Sequence, residues 1–237
     1  MCSSDLKARP SLREQIEIVT KTDIMLRSSQ WPGTRVKHYD TSAAHVQASV
    51  DRSLQRIGVD VIDLLLIHRP DPLCDAQALG ACLDGLIDAG KVRAVGVSNY
   101  QPWDVDLLQS RMRHRLQTNQ IELSLVHVDP LSNGQMAHAQ THRMPVMAWS
   151  PLGGGRLFAH TGSGRLLDRL GQLARDCGAD ASAVAVAWLT HHPAGVIAVM
   201  GSNRLERIKT CAQSQQVPMY RQTWFELYEL ALGHEVP

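Results

Sequence analysis

The feature that most restricts the fold of this sequence is a regular alternation of short, apolar, β-branched runs with longer segments of helical periodicity. "IEIVTK" (16–21) reads as a buried strand. "TSAAHVQASVDRSLQRIG" (41–58) reads as a helix: Val46, Val50, Leu54 and Ile57 recur along one face, with Ser42 at the N-cap and Gly58 as the stop. The same pattern predicts strands within 59–68, 91–99, 116–124, 144–150 and 195–202, and helices within 75–90, 102–112, 131–142, 165–191 and 204–215. A last amphipathic segment covers 222–233, which completes six βα units. Near-continuous apolar strands separated by helices belong to a parallel sheet covered on both faces, either doubly wound or closed as a barrel.

Composition narrows the function classes. With 237 residues, 44% hydrophobic and 20% charged, the chain can bury a sizeable core as one domain spanning 1–237. The net charge is +1 and Lys and Arg are dispersed, so no nucleic-acid footprint is present. No apolar run approaches the roughly 18 residues of a membrane helix, and "MCSSDLKARPSLRE" lacks the apolar centre of a signal peptide. The expectation is a cytoplasmic protein with small-molecule partners and no membrane. Cys2, Cys74, Cys82, Cys177 and Cys211 are odd in number without C-x-x-C spacing, which predicts reduced packing residues and no metal site. The Gly/Ser-rich stretches "SPLGGGRL" and "HTGSGR" follow a strand, where a long functional loop is expected within the same domain.

Parallel α/β folds place their sites at the carboxyl ends of the strands. Here these exits present Lys21, His68, Ser98 with Asn99, Asn119 with Gln120, Trp149 with Ser150, and Gly201 with Ser202. Every exit is polar. "DLLLIHRPDP" is the most marked: an apolar run ends on a histidine, and the proline two residues later forbids the strand to continue.

Taken in order, "TK", "LLLIHRPDP", "GKVRAVGVSNY", "TNQIELS", "AWSPLGGGRL" and "GSNRLERI" resemble the motifs of the aldo-keto reductases over essentially the whole chain. The resemblance implies a (β/α)8 barrel and reversible hydride transfer between a nicotinamide, usually NADP(H), and an aldehyde or ketone. On this resemblance, His68 corresponds to the histidine that orients and polarises the carbonyl, and Lys21 to the lysine that lowers the pKa of a catalytic tyrosine. Ser98, Asn99 and Gln120 correspond to groups that hold the carboxamide, and Trp149 to a ring stacked on the nicotinamide. Ser150, Leu152 and Gly153 of "SPLGGG" are the candidates for the pyrophosphate, which the glycines would let backbone N–H groups approach. Ser202, Asn203 and either Arg204 or Arg207 take a 2′-phosphate at a helix start, which favours NADP. Thr210 and Cys211 stand where many relatives carry an acidic residue and an asparagine that read adenine.

The family's tyrosine and aspartate lie in a motif of the form D-x-A-x-x-Y-G, and no such motif occurs in this sequence. "DLKARPSLRE" resembles the tail of the helix that precedes the lysine strand in relatives. The expectation is a barrel with six of its eight strands, lacking the first two βα units, and inactive as it stands. Three roles follow from different classes: an NADP-dependent reductase by family, a non-catalytic NADP-binding protein, or a non-functional remnant.

Overall fold

The apolar runs read from the sequence become strands, and each is followed by a helix or helices. The computed structural model describes residues 6, 8–29, 31–159 and 164–236. The main sheet consists of β1 (Val19–Thr22), β4 (Ile62–Ile67), β5 (Val92–Ser98), β6 (Leu116–Glu122), β7 (Val146–Trp149) and β8 (Ile197–Val199), in that order. It is an α/β sheet of the TIM-barrel type with six parallel strands. Two short strands, β2 (Ile24–Met25) and β3 (His38–Tyr39), form a separate antiparallel pair. The helices are α1 (Ala43–Ile57), α2 (Ala76–Asp88), α3 (Pro102–Gln109), α4 (Gln135–Thr141), α5 (Gly164–Cys177), α6 (Ala181–Thr190), α7 (Leu205–Ala212) and α8 (Arg221–Leu232). None of the described helices is long and apolar enough to cross a membrane.

The described residues fall into two compact units, up to Asn119 and from Gln120 onward. In the first, α1 begins and ends on the predicted residues. Ser42 Oγ accepts from the His45 amide at 3.3 Å, and Gly58 closes the helix in the left-handed region at φ 77. Val46 and Val50 are fully buried, as are Leu65, Leu66 and Ile67 of β4. Register then aligns the strand ends. Lys21 pairs with Leu66, Thr22 with Ile67, and Ile67 with Val97, so the exits carrying Lys21, His68 and Ser98 lie level.

The second unit is built around α6, whose residues from Ala183 to Leu189 are all buried. Trp188 stacks on Trp224 of α8 with centroids 5.0 Å apart, and each indole N–H donates to the other residue's carbonyl at 3.0 and 2.9 Å. Leu157, Leu170, Val184 and Leu227 complete this core.

Two expectations are corrected, and one element is new. The stretch 165–191 is two helices, because Gly178 adopts φ 66 and Asp180 caps α6 by accepting from the Ser182 amide at 2.8 Å. β1 is not buried throughout: Val19 and Lys21 are exposed, as is Ile197 in β8, since these strands have one sheet neighbour each. The β2–β3 pair was not legible, because two-residue strands show no period. The described cysteines, Cys74, Cys82, Cys177 and Cys211, are free thiols, as expected; Cys2 lies outside the described residues, as does most of "HTGSGR".

Candidate active site

Backbone strain marks the strand exits. Among the described residues, four that are not glycine have a positive φ: Asp23 (100°), Asn99 (61°), Arg143 (49°) and Ser150 (51°). Asp23, Asn99 and Ser150 each follow the last residue of a strand, β1, β5 and β7 respectively. Such conformations cost free energy and persist where the surroundings fix them, commonly at functional sites.

In the first unit, Lys21, Asp23, Trp31, His45, Arg52 and His68 line one cavity of about 140 Å³. Lys21 is exposed at the end of β1, and partial desolvation of its ammonium lowers its pKa. His68 is half-buried. Burial, with Lys21, Arg69 and Lys37 near it, lowers its pKa to about 4, so the imidazole is neutral at pH 7 and can donate one hydrogen bond without carrying charge. Asp23 is buried, and that burial raises its pKa to about 7 against the opposing effect of backbone N–H groups. Ser98 is buried, and its hydroxyl accepts from Asn99 Nδ2 at 2.9 Å; the same amide nitrogen donates to the His68 carbonyl at 3.2 Å. Asn119 donates to the Tyr100 carbonyl at 2.8 Å, and its Oδ1 is buried without a hydrogen-bond partner. The structure thus brings Lys21 and His68 to one cavity and ties Ser98 and Asn99 to the His68 backbone.

Asp23 and Arg52 are absent from the sequence reading, yet both line this cavity. The signal for Asp23 was available in "TKTDI", an acidic residue directly behind an apolar strand. Arg52 lies on α1 with its guanidinium 5.1 Å from the Trp31 ring centroid, and only the fold brings the two together. No tyrosine is among the lining residues. Tyr100 is buried, and desolvation pushes its phenol far above the usual range.

In the second unit, Gln120 is buried with Nε2 3.7 Å from Met147 Sδ, and Trp149 is half-buried at the end of β7. The loop that follows is a tight turn in which the Gly153 amide donates to the Ser150 carbonyl at 2.7 Å. Gly153, Gly154 and Gly155 all have positive φ. They serve different ends. A Cβ on Gly153 would lie 2.2 Å from Val126 Cγ2, so packing demands that glycine, whereas Gly154 and Gly155 face open space. The Leu152 side chain packs against the core, which leaves only its backbone for a ligand. After β8, Ser202 Oγ accepts from the Arg204 amide at 3.1 Å, Arg204 is the N-cap of α7, and Arg207 lies in its first turn. Asn203, Arg204 and Arg207 are exposed, and neither arginine has a carboxylate partner among the described residues.

The shifts at Asp23 and His68 act oppositely on stability. A carboxyl with its pKa raised to about 7 holds its proton longer folded than unfolded, so its contribution is lost as pH rises toward 7. A histidine lowered to about 4 disfavours protonation in the fold, so its contribution grows as pH rises from 4 to 6.5. The stability of Asp23→Asn relative to the parent, measured by urea unfolding, is therefore expected to grow by about 1 kcal/mol per pH unit between roughly pH 4 and 7. A pH-independent difference would contradict the assignment.

Comparison with known proteins places this geometry in context. Residues 4–231 match the model of the aldo/keto reductase family. The chain is 55% identical over 233 residues to the 6-dehydroglucose reductase of Agrobacterium fabrum, covering 98% of this chain and 77% of that protein. It is 40% identical to the oxidoreductase YdhF of Escherichia coli, covering 98% of this chain and 78% of that one. The crystal structure of a thermostable aldo-keto reductase superposes with a TM-score of 0.82 at 22% identity, over 96% of this chain and 75% of that chain, a likeness of fold.

Proposed function

Because this chain belongs to the aldo/keto reductase family, we propose that it is a single NADP-dependent oxidoreductase domain moving a hydride between NADP(H) and an aldehyde or ketone. The observation that carries the reading is the cavity at the ends of β1 and β4, where Lys21 and a neutral His68 converge. Reduction builds negative charge on the carbonyl oxygen, and a neutral imidazole N–H beside an ammonium stabilises it while the substrate binds. The relative's substrate, together with Ser49, His45 and Arg52 in the lining, favours a small hydroxylated aldehyde of the sugar type.

The residues present fit the cofactor. When bound, reduced nicotinamide supplies the hydride to the carbonyl carbon. Ser98 and Asn99 at the end of β5 would hold its carboxamide with Gln120, which lies inside β6 and not at its exit as expected from the sequence, and Trp149 at the end of β7 would stack on its ring. Ser150, the Leu152 backbone and Gly153 would meet the pyrophosphate, with open space beside Gly154 and Gly155 to admit it. Ser202, Asn203, Arg204 and Arg207 would take the 2′-phosphate at the start of α7, where both arginines are exposed. Thr210 donates to the Glu206 carbonyl at 2.8 Å and Cys211 is buried, which leaves adenine without a dedicated reader at those positions.

Turnover by these 237 residues is proposed to be slow, since no tyrosine lines the cavity among the described residues to protonate the oxygen. That same observation favours a second reading, a protein that binds NADP without turnover. Replacing Arg204 or Arg207 by Ala, whichever bears the contact, is expected to weaken NADPH about tenfold or more in a fluorescence titration while sparing NADH. Equal losses for both cofactors would remove the 2′-phosphate from this helix.

A further inference from the structure

Asp23 has no role in the reading above, and its surroundings are unusual. It directly follows β1, is 1% exposed, and has φ 100, beyond the left-handed region that aspartate enters most readily. A glycine would adopt this backbone without strain. What the aspartate adds is a carboxylate directed at the chain leaving β4. Its Oδ2 accepts from the Arg69 amide at 2.9 Å, and its own carbonyl accepts from the Asp40 amide at 2.9 Å.

The segment it holds contains the histidine. Beyond β4 the chain cannot satisfy itself locally: Pro70 has no N–H, and its ring disfavours a helical turn at Arg69. The polar backbone groups at 68–69 are instead held from the two neighbouring exits. The His68 amide donates to the Thr22 carbonyl at 3.1 Å, the Arg69 amide to Asp23, and the His68 carbonyl accepts from Asn99 at 3.2 Å. The Asp23 side chain reaches Arg69 and the Asn99 side chain reaches His68, and both residues have a positive φ. Their strain is what turns each side chain back across the sheet end.

We propose that Asp23, acting with Asn99, is a positioning residue that fixes the His68 imidazole beside Lys21. The proposal rests on the reading that His68 serves the carbonyl. Asp23 borders the cavity at 1% exposure, with Oδ2 committed to Arg69 and Oδ1 buried without a hydrogen-bond partner, so the role assigned to it is positioning and not contact with substrate. A residue present only for stability would be poorly chosen here, since its backbone is strained and its carboxyl is desolvated.

The test compares Asp23→Gly with Asp23→Asn in the full chain, with the NMR and exchange readouts taken without cofactor and the kinetics with NADPH. Glycine relieves the backbone and removes the tie; asparagine keeps an acceptor for the Arg69 amide. In Asp23→Gly, the His68 titration followed by NMR is expected to move from about 4 toward 6.5, and the Arg69 amide to exchange with solvent about tenfold faster. Asp23→Asn is expected to preserve both, and only the glycine variant to lose kcat more than it raises KM. Unchanged His68 titration and Arg69 exchange in Asp23→Gly, or equal changes in the two variants, would overturn the proposal. If Asp23→Gly fails to fold, Asn99→Gly removes the other side-chain tie and is expected to move the His68 titration the same way, with no movement counting against the proposal. Movement of His68 in these variants with no effect of His68→Ala on turnover would overturn the catalytic reading and leave the positioning intact.

Discussion

His68→Ala is expected to lower the rate of carbonyl reduction by about 10²-fold or more while leaving the NADPH Kd unchanged. The imidazole is half-buried and neutral at pH 7, and the backbone that carries it is fixed at the His68 carbonyl and amide and at the Arg69 amide. A donor so fixed meets the developing oxyanion without reorganising, and removing one such donor typically costs about 10²–10³ in turnover. Because the interaction strengthens in the transition state, the loss falls on kcat. Single-turnover oxidation of NADPH with a hydroxylated aldehyde measures it even where turnover is slow. An unchanged rate would return His68 to an ordinary strand end.

The second large effect lies away from the site. Trp188→Ala is expected to reduce stability by about 3–5 kcal/mol, seen as a lower urea midpoint at unchanged slope. Trp188 is 1% exposed and stacks on Trp224, and its Nε1 donor satisfies the Trp224 carbonyl. The truncation opens a cavity and removes the indole hydrogen bond to the Trp224 carbonyl, so the loss includes a hydrogen bond beyond the missing packing contacts. Trp188→Phe keeps most of the ring and is expected to recover most of the stability. A loss below about 1 kcal/mol for Trp188→Ala would mean the pair is not the centre of this core.

The strands and helices were legible because their signals are local and repeated. Ser42 and Gly58 bound α1 through chemistry contained within a few residues, and the run Leu64-Leu65-Leu66-Ile67 has no alternative to a buried strand. The break at Gly178 was legible in principle, since a glycine before an N-capping aspartate ends one helix and starts another. At the site, Lys21 and His68 could be named from position alone, but their company could not. Asp23 reaches Arg69 across 46 residues, and Arg52 meets Trp31 only through the packing of α1. Gly153 illustrates a different gap: the sequence suggested ligand approach, whereas the contact that forbids a side chain there is Val126.

Isotope transfer detects hydride movement from NADPH to a carbonyl even when turnover is slow, because the labelled product accumulates. The 237-residue chain would be incubated with NADPH deuterated at the transferable nicotinamide position and with 6-dehydroglucose or glyceraldehyde, and the alcohol analysed by mass spectrometry. One deuterium is expected on the carbinol carbon, reduced in parallel with the rate by His68→Ala. Alcohol formation or deuterium incorporation no greater than with heat-denatured protein, despite saturable NADPH binding, would contradict it and leave an NADP-binding protein without this chemistry.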